Sequence, residues 1–436
     1  MIAILGGGLC GLQLARRLSE LGIAHAVLER NEEAGGLCRT LRCGEYSWDL
    51  GPHGLYSKRA EAMAFCRALP LKYERLRRNV RICHHGPRGI REVGYPFENG
   101  LADLPFLQKI ECVVGYCRGA RAPSGRAFGS VQEWIESGLG PGIARHFMLP
   151  YNRKIWDCPL DRMSMDLVKE KIDPERSWTI VRNAFWKRGV GRAYQAEFLY
   201  PEDGIGALPK AVASSLRGTV RTGFRVSRVV PLAGRWRVLS ESGESLEADR
   251  VVSTIPLPEL LQALDEPALR PKKGAFLSNH TWFVVVGLKP GRDFGRFKDC
   301  QWVFFAGPEI FYRISLMHNF TRKRPAAAVA EITCKGEAAG LRREELASRV
   351  LQGMKASGIL REEEDAAIAQ AHLERYTYPI QSVGMRAVRD EVEEALRLRG
   401  IFLLGRSGRW DYLNMDGIFL AVSEFVEKRL PAVLGR

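Results

Sequence analysis

The apolar run Ile2–Leu5 passes directly into Gly6-Gly7-Gly8-Leu9-Cys10-Gly11, a G-x-G-x-x-G turn. Cys10, Leu14, Leu18 and Leu21 then recur at helical spacing, and Gly22 stands where a helix C-cap glycine belongs. A second apolar run, residues 24–28, ends in Glu29, roughly 20 residues past the glycines. Strand, glycine turn, helix, strand and acid in this order predict a βαβ unit that binds a dinucleotide. Gly6 lets the chain turn, Gly8 lets backbone approach a pyrophosphate, and Gly11 lets helix pack on strand. The helix N-terminus then faces the phosphates, and Glu29 stands at ribose distance. A glycine-rich loop in an unrelated fold would need neither the second strand nor the acid.

Glu29-Arg30 is followed by Gly35-Gly36-Leu37-Cys38-Arg39-Thr40 and then by Trp48-Asp49-Leu50-Gly51-Pro52-His53. Arg30 could partner a 2′-phosphate, so spacing alone leaves NADP open. The second glycine pair brings further bare backbone toward the same ligand. These segments resemble the glutathione-reductase-like FAD superfamily that includes amine oxidases, protoporphyrinogen oxidases and UDP-galactopyranose mutases. In that superfamily a G-G-x-x-R-T segment lies along the FAD diphosphate. The resemblance implies FAD, held in part by Gly6, Gly8, Gly11, Glu29, Arg30, Gly36 and Leu37. It also implies an α/β fold, with a Rossmann-type FAD-binding domain carrying inserted helical and β-sheet substrate-domain segments.

Bulk properties narrow the setting. The 436 residues suggest roughly two to three domains, and 46% hydrophobic with 26% charged residues suits a soluble globular chain. No apolar run approaches the roughly 18 residues of a membrane span. The chain opens on a strand with no leader ahead of it, so a cytoplasmic location is expected. Ten cysteines are scattered without a framework and are expected to be reduced. The net charge of +15 admits nucleic acid, anionic lipid or a phosphorylated substrate as partner. The dense basic patch at 72–91 is expected to be a solvated loop rather than a nucleic-acid or membrane contact. Cys83-His84-His85 lies within it without a second ligand pair at zinc spacing, so no metal site is expected.

The order of elements predicts a discontinuous cofactor unit of residues 1–65, 196–260 and 391–436. Residues 66–195 are expected to be mainly helical, with amphipathic stretches at 106–119 and 131–143. Residues 261–390 are expected to be strand-rich, including 280–288, 302–306 and 310–316. Together these two insertions would form the substrate domain. By the same resemblance, Val226 would sit near adenine, and Gly405-Arg406 with the following helix would lie against the flavin.

Four segments point to one branch. Gly51-Pro52-His53 is similar to the mutase segment in which a histidine lies beside the isoalloxazine. Pro150-Tyr151-Asn152-Arg153-Lys154-Ile155-Trp156 resembles a mutase segment lining the cleft. Phe311-Tyr312-Arg313-Ile314-Ser315 looks like the strand whose arginine meets the substrate diphosphate. Residues 405–416, reading Gly-Arg-Ser-Gly-Arg-Trp-Asp-Tyr-Leu-Asn-Met-Asp, are similar to the C-terminal signature G-R-x-G-x-(aromatic)-x-Y-x-x-M-D. A nucleotide diphosphate calls for planar guanidinium groups and aromatic faces, which Arg313 with Tyr312, and Arg406 with Trp410 and Tyr412, would supply. The resemblance therefore implies substrate contacts at Tyr151, Asn152, Trp156, Tyr312, Arg313, Trp410 and Tyr412, and flavin contacts at His53, Arg406, Asn414 and Met415. Packing roles compete: Trp156 as a cleft wall, Tyr312 as a half-buried strand residue. One departure stands out. Where the mutases carry a second diphosphate arginine, this chain has Lys171, which keeps the charge but not the two-pronged geometry.

The implied function is a flavin-dependent nucleotide-sugar pyranose–furanose mutase, with reduced FAD as nucleophile and no net redox change. His53, Arg313 and Lys171 would be its catalytic residues, and NAD(P)H a candidate reductant. The alternative is an FAD-dependent oxidase or desaturase of the protoporphyrinogen oxidase or amine oxidase type.

Overall fold

The computed structural model describes residues 1–436 apart from 52, 57–59, 87–88, 120–126, 167–176, 187–196, 217, 265, 322 and 436. Five short strands form an all-parallel sheet in the order Ile401–Leu403, Arg250–Ser253, Ile2–Leu5, His25–Leu28, Val220–Arg221. Parallel strands covered on both faces read as unbroken apolar runs, and Ile2–Leu5 is buried at every position. The two-residue period still divides its side chains, Ile2 and Ile4 entering one core, Ala3 and Leu5 the other. Helix Leu9–Glu20 covers the first face through Leu12, Leu14, Ala15 and Leu18, all fully buried. Each such leucine contributes about 1.5–3 kcal/mol by leaving water. The antiparallel sheet Val226–Leu232, Arg235–Ser240, Ser245–Ala248 covers the second face through Val229, Val238 and Leu246. This parallel sheet thus draws on N-terminal, middle and C-terminal stretches of the chain.

A second, seven-stranded sheet runs in the order Ala366–Pro379, Ser278–Leu288, Ala327–Thr333, Arg313–Leu316, Trp302–Phe305, Val80–Gly86, Gly89–Gly94. All its pairings are antiparallel except that of Trp302–Phe305 with Val80–Gly86. One face packs Val284, Val286, Ile314 and Ala330 under helix Arg343–Ala356. Strand alternation turns Phe283, Glu331, Arg313 and Phe304 to the other face, and the register sets these four in a single row across neighbouring strands.

The structure corrects two expectations. The basic stretch is not a loop: Tyr73–Arg77, Val80–Gly86 and Gly89–Gly94 are strands within the region expected to be mainly helical. Val80 and Ile82 alternate into the core while Arg81 between them stays half-buried, so charge on the outer positions masked a period-two pattern. The amphipathic stretch 131–143 is also broken: the contiguous helical turns Val131–Glu133 and Trp134–Gly138 end before Gly140, whose left-handed φ of 81° separates them from Pro141–Ile143. Helix Phe106–Gly119 and strand Trp302–Phe305 fall where expected. Among the described residues no helix is long and apolar enough to cross a membrane.

Candidate functional site

The glycine turn at the end of Ile2–Leu5 is built for close approach. Gly8 begins helix Leu9–Glu20 with no side-chain cap and no acidic residue in the first turn, leaving the backbone N–H groups of the helix start for an anion. The second glycine pair lies against the first: Gly35 N–H donates to Gly7 O at 2.8 Å, and Gly8 bridges to Gly35. Gly36 adopts φ +58°, where a Cβ would sit 3.1 Å from Gly8 Cα. Gly11 has no room for a Cβ against Gly6 O, which closes the turn. Buried Glu29 accepts from Gly7 N at 2.8 Å, Asn31 N at 2.9 Å and Asn31 Nδ2 at 2.7 Å, so its carboxylate is fixed at the turn. Val226 begins a strand two residues after Phe224, whose N–H donates to Glu29 O.

Above these turns two arginines converge on one acid. Arg30 pairs with Glu259 at 3.3 Å and Glu374 at 3.2 Å, while Arg39 donates to Gly36 O and to Glu374, both at 2.8 Å. Burial pushes the Glu374 carboxyl up, but His372, Arg39 and Arg30 outweigh it and hold it below the ordinary carboxylate range. The Arg30 guanidinium is thus engaged by two carboxylates, which disfavours the 2′-phosphate role that spacing left open.

Between this cradle and the second sheet lies a cavity of about 250 Å³. Leu37, His53, Arg313, Arg406, Tyr412, Asn414 and Met415 all line it. A Cβ on Gly51, which has φ +75°, would lie 3.8 Å from Arg313 Nη2, His53 Cε1 and Phe283 Cε1 alike, so this turn seats three cavity groups around one glycine. Burial drives the His53 imidazole down to about 4; Asp49 opposes this, while Arg313 and Arg406 add to it. His53 is therefore neutral at neutral pH, and its Nδ1 is buried without a partner among the described residues. Arg406 donates from Nη1 to Leu413 O at 2.8 Å and from Nη2 to Thr377 O at 3.1 Å. Its guanidinium carbon lies 4.4 Å from the Tyr412 ring centre and 5.3 Å from that of Tyr378, and its Nε is buried without a partner among the described residues. Asn414 begins helix Met415–Glu424, so that helix starts at the cavity wall.

Arg313 is held more firmly than its motif implies. Its Nε and Nη2 each donate to Glu331 at 2.6 Å, and Nη2 also approaches Tyr378 Oη at 3.4 Å. Glu331 is 1% exposed, and its Oε2 also accepts from Tyr312 Oη at 3.1 Å.

Several expected contacts are placed elsewhere. Tyr312 is buried with its hydroxyl on Glu331, a support for the ion pair and not a stacking face. Trp410 is 1% exposed, packs in the core and donates from Nε1 to Leu277 O, and it does not line the cavity. A left-handed φ of 57° at Trp410 turns it away from the side on which Tyr412 reaches the cavity. Tyr151 stacks on Phe147 and meets Phe304 edge-on, one layer behind the wall. Asn152 accepts from Trp156 Nε1 at 3.2 Å and donates to Met148 O, and buried Trp156 packs edge-on against Tyr378. Tyr151, Asn152 and Trp156 thus buttress cavity residues. Lys171 lies outside the described residues.

Glu331, Tyr378, Phe283 and Arg78 line the cavity and were missed from sequence. Only Glu331 carried a signal, as the lone charged residue in the otherwise uncharged, buried strand Ala327–Thr333.

Residues 9–286, more than half of the chain, match the model of the flavin containing amine oxidoreductase family. The chain belongs to this family. The flavoprotein is similar to the crystal structure of a reduced UDP-galactopyranose mutase, with TM-score 0.88 and 25% identity over 99% of this chain and 95% of that one. A putative protoporphyrinogen oxidase from Exiguobacterium sp. 255-15 shares the fold, with TM-score 0.76 and 18% identity over 100% of this chain and 99% of that one. In sequence, the flavoprotein is 28% identical over 335 residues to coproporphyrinogen III oxidase of Mycobacterium tuberculosis, covering 70% of each chain. It is 24% identical over 323 residues to the zeta-carotene-forming phytoene desaturase of Myxococcus xanthus, covering 66% of this chain and 60% of the desaturase. FAD is its cofactor, and it is a flavin-dependent enzyme. The residues present fit that group: two bare glycine backbones in contact, a helix start without a capping side chain, a buried acid fixed at the glycine turn, and Nδ1 and Nε atoms at the cavity unpartnered among the described residues.

Proposed function

We propose that this flavoprotein is a nucleotide-sugar mutase interconverting pyranose and furanose rings with no net redox change. One observation carries the reading: likeness to the mutase over nearly the whole of both chains, joined to a cavity where Arg313, Arg406, Tyr378 and Tyr412 meet beside His53. The stretches 1–65, 196–260 and 391–436 would form the FAD-binding unit, and 66–195 with 261–390 the substrate unit. Gly6, Gly8, Gly11 and the helix start would hold the diphosphate of FAD, Glu29 its ribose, and Val226 would lie toward adenine. Gly36, Leu37, His53, Gly405, Arg406, Asn414 and Met415 would surround the remainder.

Reduced FAD, when bound, supplies the nucleophile, and NAD(P)H is the reductant assigned to prime it. The protein's part is charge and position. Glu331 takes Arg313 Nε and Nη2, which fixes the guanidinium plane and leaves Nη1 outside the pair to face a departing diphosphate. Because Glu331 neutralises Arg313, a diphosphate needs further positive charge, and Arg78 and Arg406 line the same cavity. A neutral His53 can hydrogen-bond through Nδ1 without adding charge.

The test is direct. Reduced enzyme given a nucleotide hexopyranose is expected to yield an isomer of identical mass and to consume no electron acceptor. UDP is expected to quench tryptophan fluorescence in wild type and not in Arg313→Ala at equal FAD content. A second reading, an oxidase or desaturase, is favoured by the apolar wall at Leu55, Met63, Trp302, Phe304 and Phe419 and by the coproporphyrinogen oxidase and phytoene desaturase relatives. Steady oxygen uptake with hydrogen peroxide release on a porphyrinogen, polyene or amine, with no isomer from any nucleotide sugar, would establish that reading instead.

A further inference from the structure

On the face of the seven-stranded sheet turned away from the cavity, the fold gathers three metal-type donors. Cys83 and His85 lie two residues apart on Val80–Gly86 and so share a face. That strand pairs in parallel with Trp302–Phe305, Phe305 opposite Cys83, and the turn that follows carries Glu309 back beside them. One ligand atom from each of Cys83, His85 and Glu309 lies within 4.8 Å of the others. His85 Nε2 stands 2.6 Å from Glu309 Oε1. Glu309 Oε2 is buried without a partner among the described residues. Gly307 leaves the space open, since a Cβ there would lie 2.6 Å from His85 Nε2 and 2.8 Å from Glu309 Oε2.

The geometry points to a site for a single borderline-soft divalent cation of the zinc class, bound by Cys83 Sγ, His85 Nε2 and a Glu309 carboxylate oxygen. A sulfur, nitrogen and oxygen set is one zinc accepts, at about 2.3 Å to sulfur and about 2.0–2.2 Å to nitrogen and oxygen. Tetrahedral bonds of that length set ligand atoms about 3.5 Å apart, so the 2.6 Å His85–Glu309 hydrogen bond must break and open by about 1 Å as the ion enters. His85 is exposed, and water can take the fourth position from its side. Binding would exchange the Cys83 S–H bond for a sulfur–metal bond and release the proton to solvent. Arg296 and Lys154 are neighbouring positive groups; Arg296 Nη1 donates to Ile90 O at 3.3 Å and Lys154 Nζ to Gly307 O at 3.1 Å, so both are anchored on carbonyls. Sequence spacing predicted no metal here because the third donor comes from more than 200 residues away. A bound ion would brace the turn joining two strands that place Phe304 and Arg313 at the cavity.

The experiment uses FAD-loaded protein stripped with a chelator and then dialysed against Zn²⁺, or against Co²⁺ for its spectrum. The expected result is one ion per chain, one proton released per ion, and a cobalt–thiolate charge-transfer band in the difference spectrum. Glu309→Gln and Cys83→Ser are expected to weaken binding by more than about tenfold, since even changes to groups behind metal ligands cost 10–100-fold. FAD content should be unchanged, and Cys300→Ser, in the same core, should bind normally. Should Cys83→Ser fold poorly, the zinc-induced rise in melting temperature of wild type, absent in Glu309→Gln, serves instead. No bound ion, or binding that survives both substitutions as a surface histidine site would, overturns the assignment.

Discussion

The Arg313–Glu331 pair offers a quantitative test of how the cavity is built. Both bonds are 2.6 Å, yet the partners differ in access to water: the Arg313 side chain is 21% exposed and that of Glu331 1%. Removing one member of a buried pair costs about 3–5 kcal/mol, because the other is left charged without compensation. Arg313→Met strands the inaccessible carboxylate with, among the described residues, Tyr312 Oη alone and is expected to cost the full ~3–5 kcal/mol. Glu331→Gln strands a guanidinium that water reaches, so screening should reduce its cost to about 2–3 kcal/mol. The double variant leaves no unpaired charge, and its cost should fall short of the sum by about 2 kcal/mol or more. The assay is equilibrium unfolding in urea followed by tryptophan fluorescence, at one fixed excess of FAD because the ligand shifts the transition. Additive losses, or a larger loss from Glu331→Gln than from Arg313→Met, would refute the claim that this carboxylate holds the arginine's charge.

Other outcomes follow from the cradle and from His53. Gly8→Ala places its Cβ 3.8 Å from Gly36 Cα, an ordinary contact, so the apoprotein should melt unchanged while FAD affinity falls in a flavin-fluorescence titration. Gly36→Ala, with φ +58° and a 3.1 Å contact, should lower the apoprotein melting temperature as well. Glu29→Ala removes charge-assisted bonds worth about 1.5–3 kcal/mol and should weaken FAD on that scale by the same titration. His53 in the unfolded chain takes a proton below about 6.5, whereas in the folded protein it does so only near 4. The unfolded state therefore binds the extra proton in that window, and stability falls with falling pH, by about 3 kcal/mol once pH is below 4. His53→Asn should remove that portion of the acid sensitivity in urea midpoints measured from pH 7 to 4.

The parallel sheet was legible chiefly through Ile2–Leu5, where four consecutive buried apolar residues run into a glycine turn with its own steric reason. The second sheet was less so. Val80, Ile82 and Cys83 are core residues, but the arginines and histidines beside them read as a solvated loop until the pairing with Trp302–Phe305 is known. Motif reading also placed residues of one loop on one side of it. The left-handed turn at Trp410 sends that ring into the core while Arg406 and Tyr412 enter the cavity, and nothing in the spacing of an aromatic and an arginine encodes a φ of 57°.

The charge balance of the cavity was hidden for a related reason. Arg313 was visible as a lone guanidinium on a predicted strand, and a lone guanidinium suggests an anionic ligand. Its strand neighbour decides otherwise: Ala327–Thr333 is sequence-distant enough that only the register Arg313↔Glu331 reveals the carboxylate opposite. The same register sets Phe283 on one side of that pair and Phe304 on the other, so one row combines a neutralised ion pair with two apolar flanks. Such a row binds a diphosphate only with help from other cations, and accepts an apolar substrate without it. The choice between mutase and oxidase therefore turns on Arg78 and Arg406 more than on Arg313. Arg406 spends Nη1 and Nη2 on carbonyl oxygens and lies against two tyrosine rings, which suits a wall that orients a flat ligand. Arg78 lies over Tyr95 and Trp302 and lines the same cavity. Arg78→Met should accordingly weaken UDP about tenfold or more, the cost of one charge-assisted contact at about 1.5–3 kcal/mol, while oxygen uptake on an apolar substrate would be untouched. Unchanged UDP affinity in this variant would remove the electrostatic support for the nucleotide site and leave the apolar wall as the better guide to the substrate.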